Sequence, residues 1–395
     1  MKICAVICEY NPFHNGHKYQ LEEMKRRSGC DKLLCIMSGN FTQRGDAAVF
    51  NKYVRARHAV LGGADAVIEL PAAFASSPAE LFAGGAVHIL ASVPAVKVLA
   101  FGCESGEKED FLTAAHATLR EDKEFKAALK ERMKDGTSYA KARTETLLSL
   151  NTGINESLFT SPNNLLGSEY CRAILAEEAD IEPLPILRVG SGYTDVEVKK
   201  NFSSASAIRT LLGEEGMKAR RVLKSNVPDM VYADAMNYRK TAYETAALCA
   251  LLAAESEEIA KCPDCSEGLE NRLKAMARVN PTVEGLLEKV VSKRYTRSRI
   301  KRILLQNFLG IRLKDVKRYL TSPLYVRTLA VRKEGAEELL AALSEGNFPL
   351  IARKSDSFLL KKDALDCFNL DVKANDLYAA LTGTHSGEFE TVFVE

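Results

Sequence analysis

The sequence lacks a strong net charge, a long apolar run, internal repeats and low-complexity segments. Its 54 Lys and Arg residues nearly balance its 52 Asp and Glu residues, and the net charge is only +2. Such a small charge does not by itself indicate a nucleic-acid partner, so any RNA-binding surface has to come from local clustering. Without a run of about 20 apolar residues, we expect no membrane partner. The first residues predict a strand and not a signal peptide.

The remaining composition is typical of a globular protein with several domains. The 395 residues are 46% hydrophobic and 27% charged, which predicts a sizeable core and two or three domains. Cys262 and Cys265 form a lone CxxC pair; a zinc site is the alternative there, but without further ligands nearby we assign no metal. Other cysteines lie in apolar segments, which predicts buried thiols in a reducing cytoplasm: Cys4, Cys8, Cys35, Cys103 and Cys249.

Apolar, β-branched runs alternate with helical patterns through the first two hundred residues. The alternation favours an α/β fold with a parallel sheet and helices on both faces. Helical periodicity then dominates, and alternating residues near the end predict a small α+β element. We therefore divide the chain at residues 1–215, 216–318 and 319–395. Five runs predict strands of the sheet: Ile3–Cys8, Lys32–Ser38, Ala66–Leu70, Val96–Phe101 and Leu184–Arg188.

The turn after the first strand carries the most unusual chemistry. His14 and His17 are separated by Asn15 and Gly16 at the start of a predicted helix, where backbone N–H groups and the helix dipole favour anions. Two histidines can donate to phosphate oxygens from one side, and Gly16 permits close approach of a ligand. A metal pair or two surface histidines are the alternatives, although no Cys or carboxylate cluster adjoins them.

Loops at the carboxyl ends of the strands should converge, because ligands of parallel sheets bind at that edge. In the loop after the second strand, Asn40, Gln43 and Arg44 offer donors for a small carboxylate or a phosphate. An ordinary polar loop is the alternative there. The five loops are Glu9–His17, Ser38–Arg44, Glu69–Pro71, Gly102–Ser105 and Arg188–Tyr193.

Basic residues open the next helix, beside the predicted site. Lys52 and Arg55 predict a solvated basic helix face, with a role near phosphate or RNA as the second choice. His58 is expected to be an ordinary helix residue.

Further polar residues stand at two later helix starts. Asn163 and Asn164 follow Pro162; an N-cap at Asn164 is the simpler interpretation, and amide groups could also bind an adenine edge. Hydroxyls and an arginine at the second start suit triphosphate oxygens, with a serine-rich N-cap as the alternative. These residues are Ser204, Ser206 and Arg209.

The densest basic cluster lies at the start of a predicted helix, Arg297–Leu309. It surrounds Tyr295 and contains no acid. Because basic side chains can follow RNA phosphates while an aromatic ring stacks on a base, we predict an RNA surface here. An exposed basic helix is the alternative. The predicted RNA contacts are Arg294, Arg297, Arg299, Lys301 and Arg302, with a further surface at Arg327, Arg332, Arg353 and Lys354.

Several strings carry a resemblance to a known family. His14-Asn15-Gly16-His17 resembles the HxGH signature of the adenylyl-transferring nucleotidyltransferase superfamily. The segment 203–209 resembles its second signature, ISSTxIR, and departs from it at Ser203, Ala205 and Ser206. The longer string from Glu9 to His17, together with Ser38–Gly45, resembles the bacterial tRNA(Met) cytidine acetate ligase family. This resemblance extends along nearly the whole chain. The resemblance implies a Rossmann-like nucleotidyltransferase domain, a helical tRNA-binding domain and the α+β element.

The resemblance also implies an ATP site. His14 and His17 would be catalytic at the α- and β-phosphates, with Lys18 and Arg209 assisting at the pyrophosphate. The loop residues Ser38, Gly39, Asn40, Gln43 and Arg44 are our choice for acetate and cytidine. The implied ATP contacts are Ile7, Cys8, Glu9, Tyr10, Asn11, Pro12, Phe13, His14, Asn15, Gly16, His17, Lys18, Tyr19, Gln20, Gly102, Asn163, Arg188, Ser204, Ser206 and Arg209.

The function that the resemblance implies is ATP-dependent ligation of acetate to RNA. Acetate would be activated as acetyl-adenylate and passed to the wobble cytidine of elongator tRNA(Met), giving N4-acetylcytidine. Mg²⁺ is expected with ATP, although the sequence offers no dedicated carboxylate pair for it. A small-molecule adenylyltransferase of the same superfamily is the alternative, against which the helical region and the basic cluster argue. The choice of tRNA and the oligomeric state stay open.

Overall fold

The computed structural model describes residues 1–119, 123–134, 137, 139–150, 153–159, 161–188, 204–213, 216–384, 387 and 391–395. Two parts of the expected site, residues 189–193 and Ser203, lie outside these ranges. The strands within the ranges are β1 (Ile3–Cys8), β2 (Lys32–Ser38), β3 (Ala66–Leu70), β4 (Val96–Cys103), β5 (Glu182–Leu187), β6 (Val326–Arg332), β7 (Leu350–Ile351) and β8 (Val392–Val394).

The helices of the first half alternate with these strands. They are α1 (Asn15–Arg27), α2 (Lys52–Leu61), α3 (Ala72–Ala75), α4 (Ala79–Ala91), α5 (Lys108–Leu119), α6 (Lys123–Met133), α7 (Tyr139–Leu150) and α8 (Pro162–Ala176). Helices then follow one another without strands: α9 (Ala205–Leu212), α10 (Met217–Asn226), α11 (Asp229–Ala235), α12 (Tyr243–Ala253), α13 (Ser256–Ile259), α14 (Leu269–Val279), α15 (Val283–Val290), α16 (Arg297–Leu309) and α17 (Leu313–Tyr319). The last two are α18 (Ala336–Ser344) and α19 (Lys362–Thr382).

The sheet has the strand order β5-β4-β1-β2-β3-β6-β7, and β8 also pairs with β6. The first five strands are parallel, with β1 between β2 and β4. The chain therefore runs outward from β1 in both directions, which makes the gap between β1 and β4 the switch point of a doubly wound fold. The predicted parallel sheet is confirmed, and the five predicted strands are found within a few residues of their expected bounds.

Both faces of the sheet are covered, as the apolar strands predicted. Along β1 the side chains alternate between two buried clusters: Ile3, Ala5 and Ile7 belong to one, and Cys4, Val6 and Cys8 to the other. Such alternation follows from the two-residue period of a strand, and burial on both faces explains the continuous apolar run. The carboxyl end of β1 is thereby fixed at the centre of the sheet.

Later parts of the chain pack against the same framework. Strand β6 pairs antiparallel with β3, so the predicted C-terminal α+β element extends the sheet. Leu223, Val227 and Val231 of the α10–α11 region share a buried cluster with Tyr10 and Phe13. The exact division into domains stays a prediction. No helix among the described residues is long and apolar enough to cross a membrane.

Two predictions about burial are wrong. Cys249 is exposed, because α12 buries Tyr243, Ala247 and Leu251 and leaves its opposite side to solvent. Arg327, expected on an RNA surface, is only 2% exposed and forms an ion pair with Glu69 over 3.1 Å. Arg327 lies on β6, and its charge can be buried because Glu69 on the neighbouring strand β3 neutralises it.

Candidate active site

A cleft opens at the carboxyl edge of the sheet, above the switch point between β1 and β4. Four of the five predicted loops reach it; Glu69–Pro71 does not line it. The lining residues are Ile7, Cys8, Glu9, Tyr10, Asn11, His14, His17, Gln20, Gln43, Arg44, Phe82, Phe101, Gly102, Asn163, Leu166, Tyr170, Arg188, Ser204, Ala205, Ser206 and Arg209. The predicted convergence of strand-end loops is therefore seen in the described residues.

The two histidines form a fixed pair at the start of α1. His14 is the N-cap of the helix, and its Nδ1 accepts a hydrogen bond from the backbone N–H of Gly16 over 3.1 Å. The Nδ1 of His17 accepts in turn from the backbone N–H of His14 over 3.3 Å. The two rings stack with centroids 3.6 Å apart. Because each Nδ1 is an acceptor, each neutral ring carries its proton on Nε2 and presents an N–H donor there.

Both rings are held neutral. Burial, followed by the positive charges of Arg188 and Arg209, lowers the pKa of His14 to about 3. Burial and the neighbouring His14 and Arg188 lower the pKa of His17 well below its usual value. The pair therefore offers uncharged N–H donors to an anion at neutral pH, and two cationic arginines beside it supply the charge.

We expect the buried His14 to make the fold less stable in acid. Its pKa is about 3 in the folded chain and ordinarily 6.5, so between these values the unfolded chain binds the extra proton. As the pH falls from 6.5 towards 3, the free energy of unfolding should lose about 1.4 kcal/mol per pH unit from this residue. Denaturant titrations between pH 7 and pH 4 check this, because the slope should be smaller in His14→Gln. Equal slopes for both proteins would contradict it.

Arg55 fixes the loops that carry the site, and it does so from inside the protein. Its side chain is fully buried, and its guanidinium donates to the carbonyls of Glu9 over 2.6 Å and Ser38 over 3.1 Å, and to that of Gly39. Lys52 is also fully buried. The expectation of a solvated basic face is therefore wrong for these two residues. Carbonyl acceptors and a buried acid, neither visible in the local sequence, satisfy their charges.

The loop after β2 has one side in the cleft and one side beneath it. Gln43 and Arg44 line the cleft; the N–H of Gln43 donates to Glu9 Oε1 over 2.7 Å, and Arg44 donates to Ser206 Oγ over 3.0 Å. Asn40 is buried and accepts from the N–H of Lys52 over 2.6 Å. Of the five predicted acetate and cytidine residues, Ser38, Gly39 and Asn40 do not line the cleft.

The start of α8 is arranged differently from the sequence prediction. Asn164 was expected to be the N-cap, but the cap is Ser161, whose side chain accepts from the N–H of Asn164. Pro162 explains the shift, because its fixed φ and missing N–H suit the first helical position. Asn163, in the cleft, donates to Glu104, which also lies 3.9 Å from the Arg188 guanidinium. Glu104 thus holds two predicted ATP contacts together.

Residues at the start of α9 form another part of the cleft wall. Ser204 is its N-cap, and Ser206 Oγ accepts from Arg209 over 3.0 Å. Arg209 also donates to the carbonyl of Asn11 over 2.7 Å. Arg209 therefore links the second signature to the histidine turn, and Ser204 acts as both a helix cap and a wall of the cleft.

Known proteins are similar to this chain in sequence and fold. A model of the HIGH nucleotidyl transferase family matches residues 1–390. The tRNA(Met) cytidine acetate ligase of Acetivibrio thermocellus is 36% identical over 394 residues, which covers 96% of this chain and 94% of that protein. The ligase of Clostridium acetobutylicum is 35% identical over 396 residues, which covers 96% of each chain. The chain belongs to the tRNA(Met) cytidine acetate ligase family.

Solved structures agree with this assignment. The apo crystal structure of Thermotoga maritima TmcAL superposes with a TM-score of 0.93 at 30% identity and covers 100% of both chains. A second structure of the same protein, bound with alpha-thio ATP, has a TM-score of 0.87 at 31% identity and covers 96% of this chain and 95% of that chain. The predicted family and the Rossmann-like nucleotidyltransferase fold are confirmed.

Some of the expected ATP residues do not contribute to the cleft. Pro12, Phe13, Asn15, Gly16, Lys18 and Tyr19 do not line it. Phe13 is fully buried and Lys18 is exposed. The sequence reasoning missed an apolar wall made of Phe82, Phe101, Leu166, Tyr170 and Ala205. Apolar residues on α4 and α8 resemble ordinary core, and only Phe101, next to Gly102, had a local signal.

Gly102 gives a test of the ATP assignment that spares the fold. An added Cβ would meet Arg188 Cγ at 3.5 Å and Gln20 Nε2 at 3.8 Å, both ordinary contacts. We expect Gly102→Ala to unfold like the wild type but to bind ATP about tenfold more weakly, because the methyl group occupies ligand space. Calorimetric titration with ATP measures this. Gly84→Ala, whose Cβ also meets a side chain at 3.5 Å, is the control outside the cleft; unchanged affinity in Gly102→Ala would contradict the assignment.

The basic cluster at the start of α16 is paired within the protein. Arg302 forms a two-fold hydrogen-bonded ion pair with Asp264 over 2.7 and 2.8 Å. Arg299 donates to the carbonyl of Asp264 over 2.9 Å, and Lys301 pairs with Asp46. The exposed members are paired as well, Arg294 with Glu267 and Arg297 with Glu284. The RNA role of this cluster stays a prediction.

Cys262 and Cys265 lie beside Asp264, which binds Arg299 and Arg302 of α16. Burial raises the pKa of both thiols to about 12, so neither is a thiolate at neutral pH. The described residues contain no group of three or more His, Cys, Asp or Glu side chains placed to hold a metal ion. The structure therefore gives the CxxC pair a place in the packing of α16 and adds no ligand to it.

Proposed function

We propose that the protein is an ATP-dependent tRNA(Met) cytidine acetate ligase that forms N4-acetylcytidine at the wobble position of elongator tRNA(Met). The observation that carries the proposal is the His14–His17 pair, neutral and stacked at a helix start in the cleft between β1 and β4. Two relatives that match this chain over almost their whole length, at 35 and 36% identity, are named tRNA(Met) cytidine acetate ligase. A neutral donor pair flanked by arginines suits a triphosphate.

The first step activates acetate. A carboxylate oxygen of acetate attacks the α-phosphorus of ATP, an O–P bond forms, and the bond to the β-phosphate oxygen breaks to release pyrophosphate. Nε2–H donors of His14 and His17 stabilise charge on the α- and β-phosphate oxygens, and Arg188 and Arg209 stabilise the leaving pyrophosphate. Gln43 and Arg44 are the cleft residues of the second loop that bind the acetate carboxylate.

The second step transfers the acetyl group. The exocyclic N4 amine of cytidine attacks the acyl carbon, the bond from that carbon to the AMP phosphate oxygen breaks, and N4 releases one proton to the solvent as AMP leaves. A base of a single-stranded anticodon loop can be splayed out into a cleft of this kind. The apolar wall of Phe101 and Tyr170 excludes water from the mixed anhydride, which would otherwise hydrolyse.

Mg²⁺ accompanies ATP in most such reactions, but these residues do not build a magnesium site of their own. Glu104 is engaged by Ser161 and Asn163, and Glu9 accepts from the N–H of Gln43. The ion would be held through phosphate oxygens.

The proposal is tested by incubating the protein with labelled acetate, ATP and total bacterial tRNA. Label is expected in one tRNA fraction, and nuclease digestion should place it on cytidine N4. One ATP should be converted to AMP and pyrophosphate for each acetyl group that is transferred. Adenylyl transfer that depends on neither acetate nor tRNA would overturn the proposal in favour of a small-molecule adenylyltransferase.

A further inference from the structure

Helix α10 presents a one-sided basic surface. It contains four basic residues and no acidic one: Lys218, Arg220, Arg221 and Lys224. All four are exposed, whereas Ala219, Leu223 and Asn226 of the same helix are buried. At about 100° per residue, the four positions fall on the side opposite the buried ones. We call these four side chains the α10 face.

The charges of the α10 face are not neutralised by the rest of the described chain. None of the four side chains forms an ion pair with any described residue. Lys224 Nζ instead lies over the ring of Tyr232, 5.8 Å from its centroid. By contrast, a phosphate that binds Arg294 or Arg297 has to displace Glu267 or Glu284. Binding of a polyanion therefore costs less at the α10 face than at α16.

The α10 face is also fixed beside the catalytic turn. The side-chain amide of Asn15, which stands between the two histidines, donates to the carbonyl of Ser225 over 3.0 Å. On its inner side, Leu223 belongs to the buried cluster that contains Tyr10 and Phe13. The helix is thus held against the turn that carries His14 and His17, and its charged side faces the solvent.

We infer that the α10 face binds the phosphate backbone of the RNA whose cytidine enters the cleft. The inference rests on the proposed function, because it takes the RNA acceptor as given. Phosphate contacts supply affinity and orientation without sequence information, while groups inside the cleft select the base. A base inserted beside His14 and His17 leaves its neighbouring phosphates outside the cleft, within reach of long Lys and Arg side chains on an adjacent helix.

The test compares two variants that lose the same charge and the same residue type. Arg220→Gln/Arg221→Gln removes two members of the α10 face, and Arg294→Gln/Arg297→Gln removes two exposed arginines of the α16 cluster. Glutamine keeps the helix propensity of α10 and α16, and Arg294 lies in an exposed segment before α16, so both variants should fold. Binding of unmodified tRNA(Met) is measured between 50 and 300 mM salt, together with kcat and KM for tRNA and for ATP.

The α10 variant should reduce the slope of log K against log salt by about 1.5, since each phosphate contact contributes about 0.7 to 0.9. Its KM for tRNA should rise at least tenfold, with kcat and KM for ATP unchanged. The α16 variant should keep the wild-type slope. A slope lost only in the α16 variant, or lost equally in both, overturns the inference.

The outcome also separates this inference from the proposed function. If the wild type transfers no acetate to tRNA, the proposed function fails, whatever the variants do. If the wild type acetylates tRNA and Arg220→Gln/Arg221→Gln binds it with the wild-type slope and KM, only the placement of the RNA on α10 fails. Thermal melting of each variant confirms that binding is measured on folded protein.

Discussion

Replacing His14 or His17 by alanine should lower acetylation of tRNA by about 100- to 1,000-fold, the usual effect of removing one preorganised donor from a developing anion. The structure gives the reason: both rings turn their Nδ1 atoms to backbone N–H groups and keep Nε2–H for the ligand. Product formation from labelled acetate at saturating ATP measures the loss. A variant that keeps more than a tenth of the activity would contradict the assignment.

Two controls sharpen that experiment. His116→Ala removes an exposed histidine of α5 and should leave the rate unchanged. A double variant, His14→Ala/His17→Ala, should lose less than the product of the two single effects, because the stacked rings act on the same triphosphate as a unit. In addition, kcat/KM for ATP should show no inflection near pH 6.5 from these rings, since both are neutral well below that pH.

The sequence was sufficient for the framework and for the centre of the site. Apolar runs with alternating helical patterns predicted the five parallel strands, and the HxGH string predicted that the turn after β1 contributes to the cleft. Such local signals survive because each is tied to one strand end. The N-cap of α8 was missed by three residues, since Ser161 and Asn164 are both good caps and only the position of Pro162 decides between them.

Contacts between distant parts of the chain were beyond local reasoning. The basic residues near Arg302 look unpaired along the chain, yet Asp264 and Asp46 pair with two of them from far away in sequence. Lys52 and Arg55 look solvated, yet both are fully buried. Conversely, the sequence did not single out α10, because its ten residues hold four basic side chains, whereas the ten residues 293–302 hold six. What distinguishes the four on α10 is that none forms an ion pair with a described residue, which only the fold shows.

The buried charges beneath the loop after β2 lead to the largest expected effect on stability. Glu69 is 3% exposed; both of its oxygens accept from Lys52 Nζ at 2.9 Å, and Oε2 lies 3.1 Å from Arg327. Glu69→Gln keeps the shape but leaves two buried cations without their acid. Breaking a buried pair in this way should reduce the free energy of unfolding by about 3–5 kcal/mol.

A neighbouring acid limits how large that loss becomes. Burial, followed by the charge of Glu69, raises the pKa of Asp371 to about 7. Once the charge of Glu69 is removed, the pKa of Asp371 falls and its carboxylate partly neutralises the cations, so we expect the lower end of the range near pH 8. The loss should therefore be larger at pH 5, where Asp371 holds its proton more readily, than at pH 8.

Chemical denaturation of the wild type, Glu69→Gln and Glu395→Gln at both pH values measures these effects. Glu395 pairs with Lys333 at the surface, where the side chains are 86% and 53% exposed, and its loss should cost less than about 1 kcal/mol. The Glu69 carboxylate packs directly on the backbone of Gly39, since an added Cβ there would lie 2.6 Å from Glu69 Oε1. The same carboxylate therefore supports the loop that carries Gln43 and Arg44. Folded Glu69→Gln should therefore also bind acetate more weakly, whereas Glu395→Gln should not. A destabilisation below 1 kcal/mol at both pH values would show that Lys52 and Arg327 do not depend on Glu69 for their burial.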